Sequence, residues 1–279
     1  MARAPLGITG ATGHLGGRIA RLLAAREVPQ RLVVRSPARA PSLPGATVAQ
    51  ASYGDRGAVR AALEGLDVVL MVSAAESETR LEEHRTFLDA AADAGVRHLV
   101  YVSFFEAAPD ATFLLARDHY ATEQHIEGIG LTWTYLRDNL YADFLPMMAG
   151  EDGVVRGPAG DGRVSVVGQD DIAAAAVAVL LEPGAHEDRA YDLTGPESLT
   201  LAEATAVMTR VLDRPFAFQD ETLEEAYASR GSYGAPGWQV DAWVSTYTAI
   251  ASGELARVSG DVERLTGRPP RSLADVLAG

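Results

Sequence analysis

A glycine-rich turn near the start of the sequence most strongly constrains how this chain can fold. Gly10, Gly13 and Gly16 follow the apolar run 5–9 and precede a helical pattern of apolar residues over 14–26. In such a unit the first glycine permits a tight turn, the second lets a ligand approach the backbone, and the third lets the helix pack on the strand. Because the amino end of a helix attracts an anion, the turn predicts a pyrophosphate site. The alternative is a tight turn that holds no ligand.

The same rhythm continues through the first half of the chain, where short apolar strands alternate with helices. Strands are predicted at residues 5–9, 31–35, 47–51, 67–72, 98–103 and 132–136, and helices at residues 14–26, 59–63, 82–94 and 113–127. This alternation predicts a parallel sheet with right-handed crossovers. The expected fold class is therefore α/β, with a doubly wound sheet of the Rossmann type.

The pattern changes after Asn139, where an aromatic-rich stretch over 139–148 is predicted to be helical. Further helices are predicted at residues 170–181, 201–212, 223–228 and 273–277, an extended segment at 164–167, and a loop at 232–238. The segment 189–193 is expected to return to the sheet. These patterns predict a dinucleotide-binding domain over residues 1–150, joined by 170–195, and a smaller C-terminal substrate lobe over 151–279.

The residue after the second strand distinguishes between the two nicotinamide dinucleotides. A carboxylate at this place binds the ribose 2′-hydroxyl of NAD. This chain has Arg35 there, with Arg39 close behind. Because a guanidinium pairs well with a phosphate, NADP(H) is the expected cofactor. The alternative is that both arginines are solvated surface charges.

The composition excludes several kinds of chemistry. All 24 basic residues are arginine, and the chain contains neither lysine nor cysteine. A Schiff-base lysine, a phosphate-binding loop that ends in lysine and a Tyr-x-x-x-Lys proton relay are therefore impossible. Disulfides and thiolate ligands are excluded as well. The six histidines show no metal-ligand spacing, so no metal is expected.

Charge and hydropathy narrow the expected partners. The net charge is −14, which opposes binding to the phosphate backbone of a nucleic acid. The longest uncharged apolar run, residues 172–181, is half the length of a membrane span. The first strand begins at once and leaves no room for a signal peptide. We therefore expect a cytoplasmic monomer or homodimer that binds neither nucleic acid nor membrane.

Six motifs spread along the chain carry a resemblance to a known family. They are TGATGHLG at 9–16, VRSP at 34–37, YGD at 53–55, AADAGVRHLVYVS at 91–103, LRDN at 136–139 and GDGRVSVVGQDDIA at 160–173. Together they resemble the NmrA-like, atypical short-chain dehydrogenase/reductase family, most of all its bacterial NADPH-quinone oxidoreductase branch. The resemblance implies a Rossmann domain, a small C-terminal lobe and a cleft between them. The family contains active reductases and also sensors that bind NADP(H) without turnover.

The resemblance also implies which residues hold the cofactor. Residues of the turn would line the pyrophosphate, Arg35 the 2′-phosphate and Asp55 the adenine edge, while residues at the ends of strands four and five would meet the rest of the cofactor. The implied set is Thr9, Gly10, Thr12, Gly13, His14, Leu15, Gly16, Arg35, Asp55, Ser73, Ala74 and Ser103. For Ser73 and Ser103 the alternative is ordinary capping at strand ends.

Two neighbouring residues are candidates for supplying a proton. Tyr120 and Gln124 have the spacing of the short-chain reductase Tyr–Lys pair, but a neutral glutamine cannot supply the ammonium charge. The family resemblance favours His119, since the quinone-reductase branch has histidine there. A histidine titrates near neutrality, and Glu123 one turn later can favour its charged form. The alternatives are a histidine that only packs near the cofactor, and protonation by solvent.

Aromatic residues after the strands and in the second lobe suit a flat ligand. Phe105, Tyr141, Phe144 and Trp238 are predicted to line the acceptor site, with Trp238 in the 232–238 loop. Ordinary core packing is the alternative for all four and the favoured one for Phe144. Arg137 and Asp138 adjoin the predicted cleft, where they can pair with each other or contact a ligand.

These observations lead to one main functional hypothesis and two alternatives. The main hypothesis is an NADPH-dependent oxidoreductase that transfers hydride to a small, planar conjugated acceptor, above all a quinone. One alternative is a non-catalytic NADP(H)-binding sensor that docks a partner protein, in keeping with the missing lysine. The other is a tailoring reductase of a secondary metabolite.

Overall fold

A computed structural model describes residues 4–279, and all statements below concern these residues. The strands are β1 (Leu6–Thr9), β2 (Gln30–Val34), β3 (Ala46–Gln50), β4 (Val68–Val72), β5 (His98–Phe104), β6 (Thr132–Asp138), β7 (Val154–Gly157), β8 (Arg163–Val164), β9 (Arg189–Leu193), β10 (Leu199–Thr200) and β11 (Ala217–Asp220). The helices are α1 (His14–Ala24), α2 (Arg56–Leu63), α3 (Arg80–Asp93), α4 (Leu114–Gly128), α5 (Gln169–Leu181), α6 (Leu201–Leu212), α7 (Leu223–Arg230), α8 (Gly237–Ser252), α9 (Asp261–Thr266) and α10 (Leu273–Ala278).

The chain divides into two compact units that interleave along the sequence. The first unit runs to Ser103 and also includes Tyr120–Arg137 and Ile172–Tyr191. The second comprises Phe104–His119, Asp138–Asp171 and Asp192–Gly279. The sequence predicted a first domain over residues 1–150 joined by 170–195 and a smaller lobe over 151–279, and this division stays a prediction.

A seven-stranded sheet forms the framework of the first unit. Its order is β3-β2-β1-β4-β5-β6-β9, and β1 pairs in parallel with both β2 and β4. The chain therefore reverses its direction of winding between β1 and β4, which is the doubly wound arrangement expected from the sequence. In such a sheet, ligands bind beyond the carboxyl ends of the strands at this reversal.

The central strands are buried because helices cover them. Every residue of β1 and β5 is buried, which explains their almost continuous apolar sequences. One hydrophobic core of this unit is built around large side chains of β4, β5, β6 and α3, which include Met71, Tyr101, Tyr135 and Phe87. The helices α2 and α3 contribute their apolar faces to this core.

The second unit has its own core and two small sheets. β7 pairs in parallel with β11, and β8 pairs antiparallel with β10. Its core contains Phe104, Phe105 and Phe113 together with apolar residues of α6, α8 and α10. Three of its helices, α6, α7 and α10, begin with complete capping boxes, which are formed by Thr200 with Glu203, Thr222 with Glu225 and Ser272 with Asp275.

Two local predictions were wrong in their details, and one helix was missed. The stretch 139–148 contains a 3-10 helix (Ala142–Met148) with Pro146 inside it, and proline cannot donate the hydrogen bond of a regular α-helix. The loop predicted at 232–238 instead contains the 3-10 helix Gly231–Tyr233 and the start of α8. The sequence of α8 is rich in Val, Thr, Trp and Tyr, which favour strands, so its helical conformation was missed.

No helix among residues 4–279 is both long and apolar enough to cross a lipid bilayer.

The approach of α1 to β1 depends on Gly16. A Cβ atom at this position would lie 2.5 Å from the carbonyl carbon and oxygen of Gly10 and 2.8 Å from the carbonyl oxygen of Thr9. These are backbone atoms, so relief requires the helix to move. The third glycine therefore sets the packing distance, as its place in the sequence predicted.

We expect Gly16→Ala to lower the free energy of unfolding by about 2 kcal/mol, because the added methyl group overlaps the backbone of the turn. Urea unfolding followed by circular dichroism measures this change. The matched control is Gly128→Ala, since a Cβ at Gly128 meets nothing within 4 Å. Equal stability of the two variants would contradict the packing account.

Candidate cofactor and active site

The glycine turn leaves the amino end of α1 open toward a ligand. Gly10 has a φ of 66°, and its carbonyl accepts a 2.9 Å hydrogen bond from the Gly13 amide. Within the described chain, no side chain caps the helix at Gly13, and its first turn carries no acidic residue. Backbone N–H groups and the helix dipole therefore favour an anion here. This geometry fits the pyrophosphate of a dinucleotide.

The other predicted residues of the turn differ in their exposure. Thr12 is half-buried, His14 is exposed and Leu15 is buried in the core. Leu15 can therefore offer its backbone to a ligand, while its side chain packs inside the first unit.

Thr9 is tied to the neighbouring strand through its side chain. Its hydroxyl accepts a 2.9 Å hydrogen bond from the Val72 amide, at the end of β4. The Tyr53 hydroxyl oxygen lies 2.6 Å from the Thr9 hydroxyl and 2.6 Å from the Val72 carbonyl oxygen. Burial raises the pKa of Tyr53, so the phenol stays protonated. The three residues fix the spacing of β1 and β4 beneath the turn.

Arg35 lies directly after β2 with its side chain exposed, and Arg39 is exposed at the end of a short 3-10 helix. Arg35 lies near enough to Tyr53 to act on it electrostatically, so its charge lies near the carboxyl edge of the sheet. Asp55 is exposed too and accepts a 2.9 Å hydrogen bond from the Ala58 amide as the N-cap of α2. Asp55 therefore caps α2, and its contact with the adenine edge stays a prediction.

Ser73 and Ala74 follow β4, and their loop is fixed by α3. The Ala74 amide donates to His84 Nε2 at 2.9 Å, and the Ala74 carbonyl accepts from Arg80 Nε at 3.1 Å. His84 Nε2 is therefore the acceptor, so Nδ1 carries the proton and donates to the Thr122 hydroxyl at 2.9 Å. Burial, with a smaller contribution from the charge of Arg80, lowers the pKa of His84 to about 3.

Ser103 belongs to a buried hydrogen-bonded cluster in the first unit. Its hydroxyl donates a 2.6 Å hydrogen bond to Glu123 Oε1. The Glu123 carboxylate also accepts two hydrogen bonds from Arg137, at 2.9 and 2.6 Å. Arg137 thus pairs with Glu123, not with Asp138 as one of the sequence expectations had it. The charge of Glu123 is balanced by Arg137. The predicted influence of Glu123 on His119 stays a prediction.

The two proton-donor candidates occupy successive positions of α4. His119 is buried, and its ring centroid lies 6.0 Å from that of Phe104 in the second unit. Tyr120 is half-buried, and Gln124 is exposed and donates to Glu127. His119 and Glu123 are both buried, so they share the inner face of the helix, as their spacing predicted.

The four predicted aromatic wall residues have different surroundings. Phe105 is fully buried, and the guanidinium carbon of Arg257 lies 4.7 Å from its ring centre. Tyr141 is half-buried, and its ring lies 5.4 Å from that of Phe144. Phe144 is 38% exposed, so the preference for a core position was wrong. Trp238 lies half-buried in the first turn of α8, not in a loop.

Asp138 forms a buried pair with Tyr141 that the sequence did not predict. The Tyr141 hydroxyl lies 2.8 Å from Asp138 Oδ2, and the Asp138 side chain is almost fully buried. Burial raises the pKa of Asp138 well above its ordinary value, since no charged partner offsets the loss of hydration. Tyrosines that follow a strand by a few residues are common in protein sequences. This spacing alone therefore could not predict the hydrogen bond.

Residues 4–279 contain no cluster of three histidine, aspartate or glutamate side chains suited to a metal ion.

The open helix terminus above a doubly wound sheet defines a dinucleotide-binding protein, and comparisons with known proteins specify the family. Residues 10–183 match the family described as NAD(P)H-binding. The chain therefore belongs to the NAD(P)H-binding family. This confirms the cofactor class and, with the relatives below, the resemblance to NmrA-like reductases.

Three curated relatives match over nearly their full length. The (4-alkanoyl-5-oxo-2,5-dihydrofuran-3-yl)methyl phosphate reductase of Streptomyces griseus is 38% identical, with 96% of this chain and 95% of the relative covered. Quinone oxidoreductase 2 of Escherichia coli is 34% identical, with 98% and 97% covered. NAD(P)H azoreductase of Xenophilus azovorans is 34% identical, with 96% and 95% covered.

The solved structures agree with these relatives. The crystal structure of the Escherichia coli quinone oxidoreductase in complex with NADPH has a TM-score of 0.88 at 33% identity, with 98% of each chain covered. The protein is thus an NAD(P)H-dependent oxidoreductase with a Rossmann-type fold, as the sequence predicted.

We expect the neutral His84 to make stability depend on pH. Its pKa falls from 6.5 in the unfolded chain to about 3 in the folded protein, so its stabilising effect is full above pH 6.5 and is lost as the pH falls toward 3. The slope from this group is about 1.4 kcal/mol per pH unit. His84→Gln keeps an acceptor and a donor but cannot titrate, so its urea-unfolding free energy should fall less between pH 6.5 and pH 4.5. Identical pH dependence of the two proteins would contradict this assignment.

We expect Arg35→Asp to weaken NADPH binding by roughly 10- to 100-fold and NADH binding far less, because a charge-assisted pairing with the 2′-phosphate is lost. Isothermal titration calorimetry measures both affinities. Arg85→Asp, at an exposed site on α3, makes the same charge change and serves as the control. Equal losses for NADPH and NADH would show that Arg35 does not read the 2′-phosphate.

Proposed function

We propose that this protein is an NADPH-dependent reductase that transfers a hydride to a small, planar conjugated acceptor, with quinones as the first candidates. The observation that carries the choice of NADPH is the exposed Arg35 beside the open glycine turn. The acceptor class is supported by the relatives, whose names specify an oxo-dihydrofuran, a quinone and an azo compound. All three groups contain a double bond in a flat, conjugated system.

The first unit would hold the cofactor with few charged groups. The amino end of α1 would bind the pyrophosphate through backbone N–H groups, and Arg35 would bind the 2′-phosphate. Tyr53, Thr9 and Val72 keep the floor of this site rigid, while His84 and Arg80 fix the loop at Ala74. When bound, NADPH supplies the hydride, and the protein supplies orientation and a protected environment.

The second unit would supply the acceptor site. Tyr141 and Phe144 present aromatic surface that is only partly covered, which suits the face of a flat ligand. The sequence predicted His119 as a proton donor, and its buried ring lies 6.0 Å from that of Phe104. Phe105 would support the site from the core, since its ring has no exposed surface.

A tailoring role is the second candidate function, and the Streptomyces griseus relative favours it. That enzyme is the most identical of the three relatives described above, and its substrate name includes a phosphate on a small oxo-dihydrofuran ring. The hydride chemistry would be the same as for a quinone. The two candidates differ only in the acceptor that the second unit recognises.

We expect the purified protein to oxidise NADPH, faster than NADH, when mixed with an acceptor of this class. Steady-state absorbance with a panel of a benzoquinone, a naphthoquinone, an azo dye and an alkanoyl dihydrofuranone ranks the candidates. Preference for the dihydrofuranone would select the tailoring role over quinone reduction. NADPH binding without turnover of any acceptor would contradict the proposal and would favour the non-catalytic sensor.

A further inference from the structure

The hydrogen-bonded pair of Asp138 and Tyr141 has the chemistry of a proton source. Asp138 is the last residue of β6, and Tyr141 follows it by three residues. The Tyr141 hydroxyl oxygen lies 2.8 Å from Asp138 Oδ2, within hydrogen-bonding distance. The Asp138 side chain is almost entirely removed from water, whereas Tyr141 is only half-buried. A proton can therefore pass between a buried group and a partly accessible one.

The Asp138 carboxyl group lacks the cation that would keep it ionised. Two N–H groups of the neighbouring Arg137 donate to Glu123, and the ion pairs within residues 4–279 do not include Asp138. An unpaired carboxylate in the interior is costly, so Asp138 favours its neutral form. The raised pKa of Asp138 agrees with this geometry.

The Tyr141 hydroxyl donates to Asp138 Oδ2, and protonation of Asp138 permits the opposite direction of this hydrogen bond. An ionised Asp138 can only accept the proton of the Tyr141 hydroxyl. A neutral Asp138 can donate its own proton to the Tyr141 oxygen, which directs the phenol proton toward another acceptor. The pair is then a short relay that ends at the tyrosine.

The relay ends where a ligand is expected. β6 belongs to the seven-stranded sheet, and Tyr141 follows its carboxyl end, the edge at which open α/β sheets bind ligands. The ring of Tyr141 also lies beside Phe144, which is 38% exposed. The partly covered aromatic surface proposed for the acceptor thus carries a proton donor of its own.

We propose that Tyr141 protonates the reduced acceptor and that Asp138 resupplies the proton to Tyr141. This inference rests on the proposed reductase function. The acceptor gains the two electrons and one hydrogen of the hydride that NADPH supplies, and an oxygen or nitrogen of the acceptor gains the Tyr141 proton. The resulting phenolate takes the proton of Asp138, and a solvent proton returns to the Asp138 carboxylate through the half-buried Tyr141 hydroxyl before the next turnover. Tyr141 is the catalytic residue, while Asp138 acts through it.

This assignment differs from the sequence prediction for His119. The His119 side chain is 6% exposed and packs beside Phe104. Tyr141 is half-buried, and its hydroxyl lies 2.8 Å from the buried Asp138 carboxyl group. The relay therefore provides a proton donor of the tyrosine type without the lysine that short-chain reductases use.

The test compares Tyr141→Phe and Asp138→Asn with two matched controls, Tyr233→Phe and Asp213→Asn, whose wild-type side chains are exposed. His119→Asn is measured alongside. Each variant is assayed for kcat and KM with the best quinone of the panel, and calorimetry gives its affinity for NADP+. Because general acid catalysis contributes about 100-fold or more, we expect Tyr141→Phe to lower kcat by roughly that factor with little change in KM or NADP+ affinity.

Asp138→Asn should lower kcat less, since Tyr141 can still be protonated slowly by water, and both controls should match the wild type. An unchanged kcat in Tyr141→Phe, or a rise in KM alone, would overturn the proposal. A loss of kcat confined to His119→Asn would also overturn it. If Asp138→Asn fails to fold, Tyr141→Phe still decides. Absence of turnover by the wild type would remove the proposed function as well, whereas wild-type turnover with an unaffected Tyr141→Phe removes this inference alone.

Discussion

The close contact of α1 with the turn after β1 is the constraint on which the cofactor site depends. At Gly16 the helix lies so near the turn that even one methyl group would overlap the backbone of Gly10. This approach brings the open amino end of the helix to the carboxyl edge of the sheet, where the order of strands reverses. Tyr53 and Thr9 then hold β1 against β4 directly beneath the turn. The helix terminus can bind an anion because these contacts leave it both uncapped and fixed in place.

The absence of lysine makes the buried charges of this protein informative. In the first unit, the buried Glu123 carboxylate forms an ion pair with Arg137, which donates two hydrogen bonds to it. The ion pairs among residues 4–279 do not include the adjacent Asp138, and burial therefore raises its pKa and favours its neutral form. One bidentate ion pair thus leaves the next residue available as an acid. Glu123 lies on α4, and Arg137 and Asp138 are neighbours on β6. The contact of α4 with this strand therefore lies next to the acid of the proposed proton relay.

The sequence predicted the fold well because apolar runs and glycine punctuation are local signals. The strands from β1 to β6 and the order of elements around them follow directly from such runs, and the role of Gly16 followed from its spacing. The interactions that organise the site join distant residues, so no local pattern shows them. Tyr53 reaches Thr9 across 44 residues, and His84 reaches Thr122 across 38. The helix α8 was missed for another reason, since tertiary packing overrides the strand preference of its Val, Thr and aromatic residues.

The central claim is that this protein moves a hydride from NADPH to a carbon or heteroatom of a conjugated acceptor. Deuterium transfer tests it most directly: NADPH labelled with deuterium at the transferable position of the nicotinamide is incubated with the protein and an alkanoyl dihydrofuranone. Our account predicts a reduced product that carries one deuterium on a ring carbon, detected by mass spectrometry and nuclear magnetic resonance. A reduced product without deuterium would contradict it. So would the absence of any reduced product, if the quinones and the azo dye of the panel were also left unreduced by the NADPH-bound protein.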